Sequence, residues 1–390
     1  MENILYRYNP WWENDFNSEY LIEREGLVSS LINEFGNNQI VILTGLRRVG
    51  KTSMLKLIIK KLIESNYNPK QIFYLSMDEY LLKDSNILEI IEAYRKLQKL
   101  KTKEKIYLFL DEITFKKDFE IQLKNLYDNQ NVKIFASSSN SAILEDKKAM
   151  LTGRTINYEI LPLTYNEYLI FKKINIKKTD NHLHESYFLE YLKTGGIPEF
   201  VLTDNFEYLK NLINDIIYKD IAAIHNVRDI SILQDFFLLL MERTGKKLSI
   251  NKIASILSIS SDTAHRYLNY FSRTYLIHLV KKAGKTNERI LSANKIYAAD
   301  IGIRNYFTGF RDKGSIFENY VFLRIKHLNP SYIYKNKIEI DFITENKTLI
   351  EAKFHKEKLS DKQQKLFDET DANKKYIVRN DSDITKLLLG

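Results

Sequence analysis

The chain has 390 residues, 44% of them hydrophobic, which is too long for one hydrophobic core and predicts two or three domains. It has no cysteine, no run of 18 apolar residues and no leader-like amino terminus, which excludes disulfides, thiolate zinc sites and a cysteine nucleophile and predicts a cytoplasmic protein without a membrane partner. Lysine and arginine number 59 against 50 aspartate and glutamate, and the net charge of +9 fits either a nucleic-acid partner or a lysine-rich solvated surface.

The first feature along the chain is aromatic. Residues 6–12 read Tyr-Arg-Tyr-Asn-Pro-Trp-Trp and hold both tryptophans of the protein. Aromatic side chains at this density must be buried or bind something, so we expect the segment to pack across the core of the first domain. It serves there either as a packing anchor or beside a ligand of that domain.

A glycine-bounded loop follows the apolar run 39–43 and precedes a helix-like stretch at 53–59. The order of strand, loop and helix is that of a phosphate loop, in which glycines let backbone N–H groups turn toward phosphate oxygens. Lys51 can reach the β and γ phosphates, and Thr52 can place its hydroxyl on Mg²⁺. We therefore expect ATP and Mg²⁺ to bind, with the aromatic segment near the nucleotide base; the alternative is a fortuitous glycine turn. The expected nucleotide-binding residues are Gly45, Leu46, Arg47, Arg48, Val49, Gly50, Lys51, Thr52 and Ser53.

A second, continuously apolar strand at 106–110 ends in Asp111 and Glu112. In open α/β sheets ligands bind at the carboxyl edge of the strands, so this pair should lie beside the loop. Asp111 would hold Mg²⁺, directly or through water, and Glu112 would orient or deprotonate the attacking water. The alternative is a helix-capping acid.

The next strand, 132–136, runs into Ser137-Ser138-Ser139-Asn140. These polar groups, with Ser138 as the expected site residue, could touch the γ phosphate or the attacking water, or they could cap a helix at 142–144. Farther on, Arg154 is the best single candidate for a cationic contact to the transferred phosphoryl group, in its own chain or in a neighbouring one. A plain surface arginine is the alternative.

Beyond Pro198 the pattern becomes helical, with runs at 206–224 and 230–241. A short helix at 248–257, a turn at 258–260, a helix from 261 to 275 and a strand at 276–280 predict a winged helix-turn-helix. Its second helix would expose a weakly basic surface that reads DNA, or would serve packing or nucleotide sensing. The exposed residues would be Asp262, His265, Arg266 and Arg273.

The last third contains a helix at 315–323, strands at 337–343 and 348–354, a helix at 361–367 and a strand at 374–378. Glu351 and Lys353 alternate by two and therefore share one face of their strand. Asp341 shares that face across a hairpin only if it pairs with residue 351 or 353, which requires a loop such as the three residues 345–347.

The order of these motifs, with Leu161-Pro162-Leu163 and Gly195-Gly196-Ile197-Pro198-Glu199 after them, resembles the AAA+ ATPases of the STAND-like group of archaea and bacteria. The Arg47-Arg48 pair inside the loop is typical of that group, and the resemblance runs from about residue 20 to about residue 378. It implies an α/β protein with a P-loop AAA+ parallel sheet and helices, then a helical and winged-helix domain and a small α/β nuclease-like domain. The implied domains are 1–165, 166–290 and 291–390.

In many members of that group the last domain resembles a PD-(D/E)XK nuclease. The resemblance implies that Asp341 and Glu351 bind Mg²⁺, that Lys353 stabilises an activated water or a phosphate, and that Glu318 completes the site. It further implies ATP hydrolysis coupled to nucleic acid, with DNA as a candidate partner and homo-oligomers as a candidate assembly. The alternative is a slow nucleotide-dependent switch or scaffold whose nuclease-like charges persist as salt bridges.

Overall fold

The structure is a computed structural model and describes residues 1–13, 16–139, 151–180, 182–355 and 357–389. The chain forms two compact units, Met1–Ile160 (unit 1) and Leu161–Gly390 (unit 2). The α/β class predicted from the sequence is confirmed, because each unit combines a sheet with packed helices. A further division of unit 2 stays a prediction; the boundary expected at residue 290 falls inside an antiparallel hairpin of that unit.

Unit 1 is built on a five-stranded parallel sheet with the order β2-β3-β4-β1-β5. Every residue of β1, β3 and β4 is buried, as expected for central parallel strands covered on both faces, and this explains why their sequences are mostly apolar. The strands are β1 (Ile40–Thr44), β2 (Ile72–Ser76), β3 (Ile106–Asp111), β4 (Val132–Ser137) and β5 (Thr155–Glu159). The helices are α1 (Glu2–Tyr8), α2 (Glu25–Asn33), α3 (Lys51–Glu64), α4 (Ile87–Gln98) and α5 (Phe119–Asn129).

The aromatic amino-terminal segment covers the edge strand β2. The Asn9 amide accepts a hydrogen bond from the Tyr74 N–H at 2.7 Å and donates one to the Tyr74 carbonyl at 2.9 Å. Both indole N–H groups, of Trp11 and Trp12, donate to the Ile72 carbonyl at 3.0 and 2.9 Å. Side chains thus satisfy main-chain groups that an edge strand leaves open. The segment is a packing anchor on β2, at the opposite side of the sheet from the β1–β5 pair.

Unit 2 contains a two-stranded antiparallel hairpin and a four-stranded sheet with the order β11-β10-β9-β8. In the larger sheet β8, β9 and β10 are antiparallel neighbours, and β11 runs parallel to β10. The hairpin strands are β6 (Ile277–Val280) and β7 (Lys295–Ala298), and the sheet strands are β8 (Ser331–Lys335), β9 (Ile338–Ile343), β10 (Thr348–Ala352) and β11 (Lys374–Val378).

The first helices of unit 2 are α6 (Tyr165–Phe171), α7 (Leu183–Thr194), α8 (Pro198–Thr203), α9 (Phe206–Asp215), α10 (Ala223–His225) and α11 (Ile230–Glu242). They continue with α12 (Ile250–Ile256), α13 (Ser261–Arg273), α14 (Thr286–Leu291), α15 (Ile301–Thr308), α16 (Lys313–Ile325), α17 (Asp361–Glu369) and α18 (Asp381–Leu389). The run expected to be one helix at 206–224 is continuous, but Ile216–Ala222 adopts the wider π-helical winding.

Two helices, a turn and a strand occur in the predicted order as α12, α13 and β6, and β7 pairs with β6, which the sequence did not predict; a winged helix here stays a prediction. Ser249 and Ser260 cap the two helices by accepting hydrogen bonds from backbone N–H groups of their first turns. On α13 the side chains of Asp262, His265 and Arg266 are exposed, whereas Arg273 is half-buried. Among the described residues, no helix has both the length and the apolar character needed to cross a membrane.

Candidate functional site

The loop between β1 and α3 has a backbone that only glycine fits at two positions. Gly45 has φ 131° and Gly50 has φ 98°, both in the left-handed half of the backbone map. A Cβ added at Gly45 would lie 2.3 Å from the carbonyl oxygen of Ile160. The glycine spacing of the sequence motif is therefore required by the path of the chain, and Lys51 opens α3 directly after it.

Lys51 places its charge inside this loop. Its side chain is buried, and the ammonium donates hydrogen bonds to the carbonyl oxygens of Gly45 and Leu46, each at 3.0 Å. A second cation comes from the segment before α2: Arg24 is also buried and donates to the Val49 carbonyl at 3.4 Å. No role for Arg24 was predicted from the sequence, because only the folded chain brings it to the loop.

Asp111 accepts hydrogen bonds from three hydroxyl groups at the carboxyl edge of the sheet. The Thr52 hydroxyl donates to its Oδ2 at 2.6 Å, the Tyr74 hydroxyl donates to the same oxygen at 3.0 Å, and Ser137 donates to Oδ1. Burial, and then the adjacent charge of Asp111, raise the pKa of Tyr74 well above its ordinary value, so this phenol stays a donor. A threonine hydroxyl and a carboxylate in contact are a donor set that fits Mg²⁺.

Glu112 is held beside this cluster by the end of β4. Its backbone is left-handed, with φ 48°, and its N–H donates to the Ser137 hydroxyl at 3.0 Å. The backbone N–H and the hydroxyl of Ser139 donate to Glu112 Oε2 at 3.2 and 3.1 Å. One carboxylate oxygen of Glu112 is therefore fixed by two donors.

A contact of Ser138 to the γ phosphate or the attacking water stays a prediction. The Ser138 hydroxyl shares a hydrogen bond with Thr114 at 3.2 Å, while Ser137 and Ser139 contact the two acidic residues. Successive side chains along an extended chain point to opposite faces. Ser137 and Ser139 therefore point toward the acidic residues, and Ser138 points toward Thr114. That alternation was the available signal for choosing 137 and 139. Asn140 and the helix expected at 142–144 lie outside the described residues.

Arg154 is not brought to the phosphate loop of its own chain. Its carbonyl accepts from the N–H of Ile40, the first residue of β1, whereas the loop follows the last residue of that strand. Five strand residues span roughly 13 Å or more. The guanidinium instead forms a two-point ion pair with Asp128, at 3.0 and 3.1 Å. A contact to the nucleotide of a neighbouring chain stays a prediction.

In unit 2 the hairpin β9–β10 has the register that the predicted site requires. Ile343 lies opposite Leu349 and Phe342 opposite Ile350, so the next pair is Asp341 with Glu351. The Thr344 N–H donates to the Thr348 carbonyl at 3.0 Å and closes the three-residue loop 345–347. The Asp341 N–H donates to Glu351 Oε2 at 3.1 Å, and the Lys353 ammonium lies 3.0 Å from Glu351 Oε1.

A buried lysine without a role predicted from the sequence lies among these acids. The Lys295 ammonium is 2.6 Å from Glu318 Oε1, 2.7 Å from Glu339 Oε1 and 3.5 Å from Asp341 Oδ1. The Tyr297 hydroxyl also donates to Glu318 Oε1, at 2.6 Å. Lys295 and Tyr297 alternate by two on β7, and this spacing was the signal that they share a face.

Two glutamates of this cluster have raised pKa values. Burial, and next the charge of Asp341, raise the pKa of Glu318 to about 7 and that of Glu351 to about 8. Burial alone would lower the pKa of Lys295, but the surrounding carboxylates, Glu318 first, outweigh burial and raise it well above its ordinary value. Lys295 is therefore charged at neutral pH.

Comparison with known proteins gives two matching families. The sequence profile of the AAA domain matches residues 37–169, and that of a domain of unknown function, DUF8612, matches residues 185–314. The uncharacterized protein MJ1544 of Methanocaldococcus jannaschii is 32% identical over 338 residues, which are 81% of this chain and 74% of that protein. An uncharacterized protein of Haemophilus influenzae is 26% identical over 343 residues, 84% of each chain.

Solved structures give weaker matches. A RuvB variant from Thermotoga maritima is 18% identical with a TM-score of 0.33, over 68% of this chain and 91% of that one. DnaA from Aquifex aeolicus with bound AMPPCP is 17% identical with a TM-score of 0.30, over 66% and 93%. Family membership is shown by the 32% identity with MJ1544, and the AAA profile identifies the domain at residues 37–169.

Proposed function

The chain belongs to the same family as MJ1544 and contains an AAA domain, and we propose that it binds ATP with Mg²⁺ and hydrolyses it at the phosphate loop of unit 1. The observation that carries this proposal is the 2.6 Å contact between the hydroxyl of Thr52 and the carboxylate of Asp111, next to a loop that holds Lys51. Thr52 lies in the first turn of α3 and Asp111 is the last residue of β3, so the fold brings a hydroxyl and a carboxylate together at the phosphate loop.

Each residue has a chemical role in this proposal. The Lys51 ammonium and the loop N–H groups bind the phosphate oxygens, and Thr52 with Asp111 would hold Mg²⁺. When bound, Mg²⁺ would neutralise negative charge on the β and γ phosphates. Glu112 orients the attacking water and accepts its proton, with Ser139 fixing one of its oxygens.

The test is ATP turnover in Glu112→Gln, measured beside Glu92→Gln, an exposed glutamate on α4. Glu112→Gln should retain ATP affinity while turnover falls by about 10²–10⁴, because the lost function is orientation or deprotonation of water. Glu92→Gln should match the unsubstituted protein. Equal loss of binding and turnover in Glu112→Gln would show that Glu112 is structural.

A second proposal concerns unit 2: α12, α13 and the β6–β7 hairpin act as a winged helix that binds nucleic acid and couples it to ATP turnover. What favours it is the connection between β6 and β7, where Lys281, Lys285 and Arg289 are all exposed, together with exposed His265 and Arg266 on α13. The rival account is a nucleotide-dependent switch in which these elements only pack or sense nucleotide.

Duplex DNA binding measured against salt concentration separates the two accounts. Lys285→Ala with Arg289→Ala should weaken binding and flatten its salt dependence, because each side chain that pairs with a phosphate contributes about one unit of slope. Lys365→Ala, an exposed lysine on α17, is the matched control. No DNA binding at low salt, or an equal effect in the control, would favour the switch.

A further inference from the structure

The resemblance to nucleases implies a metal site among Glu318, Asp341 and Glu351. The Lys295 ammonium lies within this acidic cluster, beside Glu318 and Asp341. Its side chain is 0% exposed, and its nitrogen lies within 2.7 Å of an oxygen of Glu318 and of Glu339. An ammonium has three N–H donors and no acceptor, and here carboxylates from α16 and β9 surround it. Distances of 2.6–2.7 Å are those of charge-assisted hydrogen bonds, the strong class.

The oxygens that a metal would need are engaged by protein donors. Glu318 Oε1 accepts from both Lys295 and Tyr297. Asp341 Oδ2 accepts from the Ala352 N–H at 2.9 Å. Glu351, 1% exposed, uses Oε2 for the Asp341 N–H and Oε1 for Lys353. A cation bound to these oxygens would compete with the ammonium groups of Lys295 and Lys353 for the same carboxylates.

A divalent cation would also lie against the ammonium. Mg²⁺ binds oxygen at about 2.0–2.1 Å in near-octahedral geometry. Placed on Glu318 Oε1 and Asp341, it would sit within a few ångströms of the Lys295 nitrogen, and two cations that close in a buried site repel strongly. Within the described part of the chain, no group of three or more His, Cys, Asp or Glu side chains is arranged to hold a metal ion.

We propose that the Lys295 ammonium is the permanent cation of this cluster, in place of the divalent metal of a nuclease, so that unit 2 carries out no metal-dependent hydrolysis. The cluster then has a structural role: its ion pairs hold β7, α16 and β9 together. This inference is independent of ATP hydrolysis in unit 1, whose assays report on other residues.

The experiment is a Mn²⁺ titration followed by thermal melting, without nucleotide. All proteins carry Asp111→Asn, which removes the metal-ligand carboxylate of unit 1. The compared chains are this parent, Asp341→Asn, Lys295→Ala, Lys295→Ala with Asp341→Asn, and the control Lys365→Ala.

The parent and the control should show no Mn²⁺-dependent shift of the melting temperature. Lys295→Ala should melt lower without Mn²⁺, because Glu318 and Glu339 lose their ammonium partner in a buried site, and should recover most of that loss when Mn²⁺ is added. Adding Asp341→Asn should abolish the recovery. These results together would show that lysine and metal compete for one position.

Two results would overturn the proposal. One is a Mn²⁺-dependent shift in the parent that Asp341→Asn removes; the other is a folded Lys295→Ala that gains no Mn²⁺ response. If Lys295→Ala does not fold, the test relies on the parent protein. Its Mn²⁺-dependent melting shift is then measured together with its cleavage of plasmid DNA in Mn²⁺. Cleavage that Glu351→Ala abolishes contradicts the proposal, and absence of both cleavage and an Asp341-dependent shift supports it.

Discussion

The acidic groups of the two units look alike in the sequence but have different partners in the structure. Asp111 in unit 1 accepts from neutral hydroxyl groups, those of Thr52, Tyr74 and Ser137. Asp341 in unit 2 lies beside the charged ammonium of Lys295. A hydroxyl can turn and share a metal with the carboxylate, whereas an ammonium already neutralises it. Whether a divalent cation binds at these two sites therefore depends on the group that contacts the carboxylate: a neutral hydroxyl at Asp111 or a charged ammonium at Asp341.

The largest effect is expected when the ammonium group of Lys51 is removed from the phosphate loop of unit 1. Lys51→Ala should weaken ATP binding by about 100-fold or more, because the variant lacks a buried charge for the phosphate oxygens and the backbone only cradles them. Calorimetric titration with ATP measures it, with Lys96→Ala, an exposed lysine of α4, as control. Micromolar affinity retained in Lys51→Ala would contradict the assignment of Lys51 as the cation that binds the phosphates of ATP at this loop.

Removing one neutral donor should have a smaller, metal-specific effect. Tyr74→Phe deletes the hydroxyl that orients Asp111, so the Mg²⁺ concentration that gives half-maximal ATP turnover should rise roughly tenfold, in line with the removal of a hydrogen bond to a charged group. Maximal turnover at saturating Mg²⁺ should change little. Tyr94→Phe, which removes a hydrogen bond to the Lys70 carbonyl, serves as control. An unchanged Mg²⁺ dependence in Tyr74→Phe would show that the phenol only packs.

The smallest expected effect separates two adjacent serines. Ser139→Ala removes a donor to Glu112 and should lower turnover by roughly threefold to tenfold, about the value of one hydrogen bond. Ser138→Ala removes the hydrogen bond to Thr114, which lies outside the contacts of Glu112, and should have less effect. Steady-state kinetics of the two variants give the comparison directly. A larger decrease in Ser138→Ala would restore Ser138 as the site residue.

The features that could be predicted from the sequence are those set by residues close together in the chain. The glycines of the phosphate loop, Lys51 and the pair Asp111 and Glu112 stand at strand ends, and strand ends follow from local apolar runs. The register of Asp341 and Glu351 likewise follows from the length of a three-residue loop, which lies between them in the chain.

Interactions between distant segments could not be predicted in the same way. Tyr74 reaches Asp111 because β2 and β3 pair in a parallel register that sets Ser76 beside Asp111. Lys295 comes to the unit 2 acids from a different hairpin, and Arg154 lies away from the phosphate loop because β5 begins at the far edge of the sheet. Each depends on strand order, which local periodicity does not specify.

The most direct test counts the Mn²⁺ ions bound per chain in the presence of a non-hydrolysable ATP analogue, by electron paramagnetic resonance. We expect one tightly bound ion, which requires the nucleotide, disappears in Asp111→Asn and persists in Asp341→Asn. A second tight ion, or one that disappears in Asp341→Asn, would contradict the claim that a hydroxyl-bonded carboxylate binds the metal while a lysine-bonded one does not.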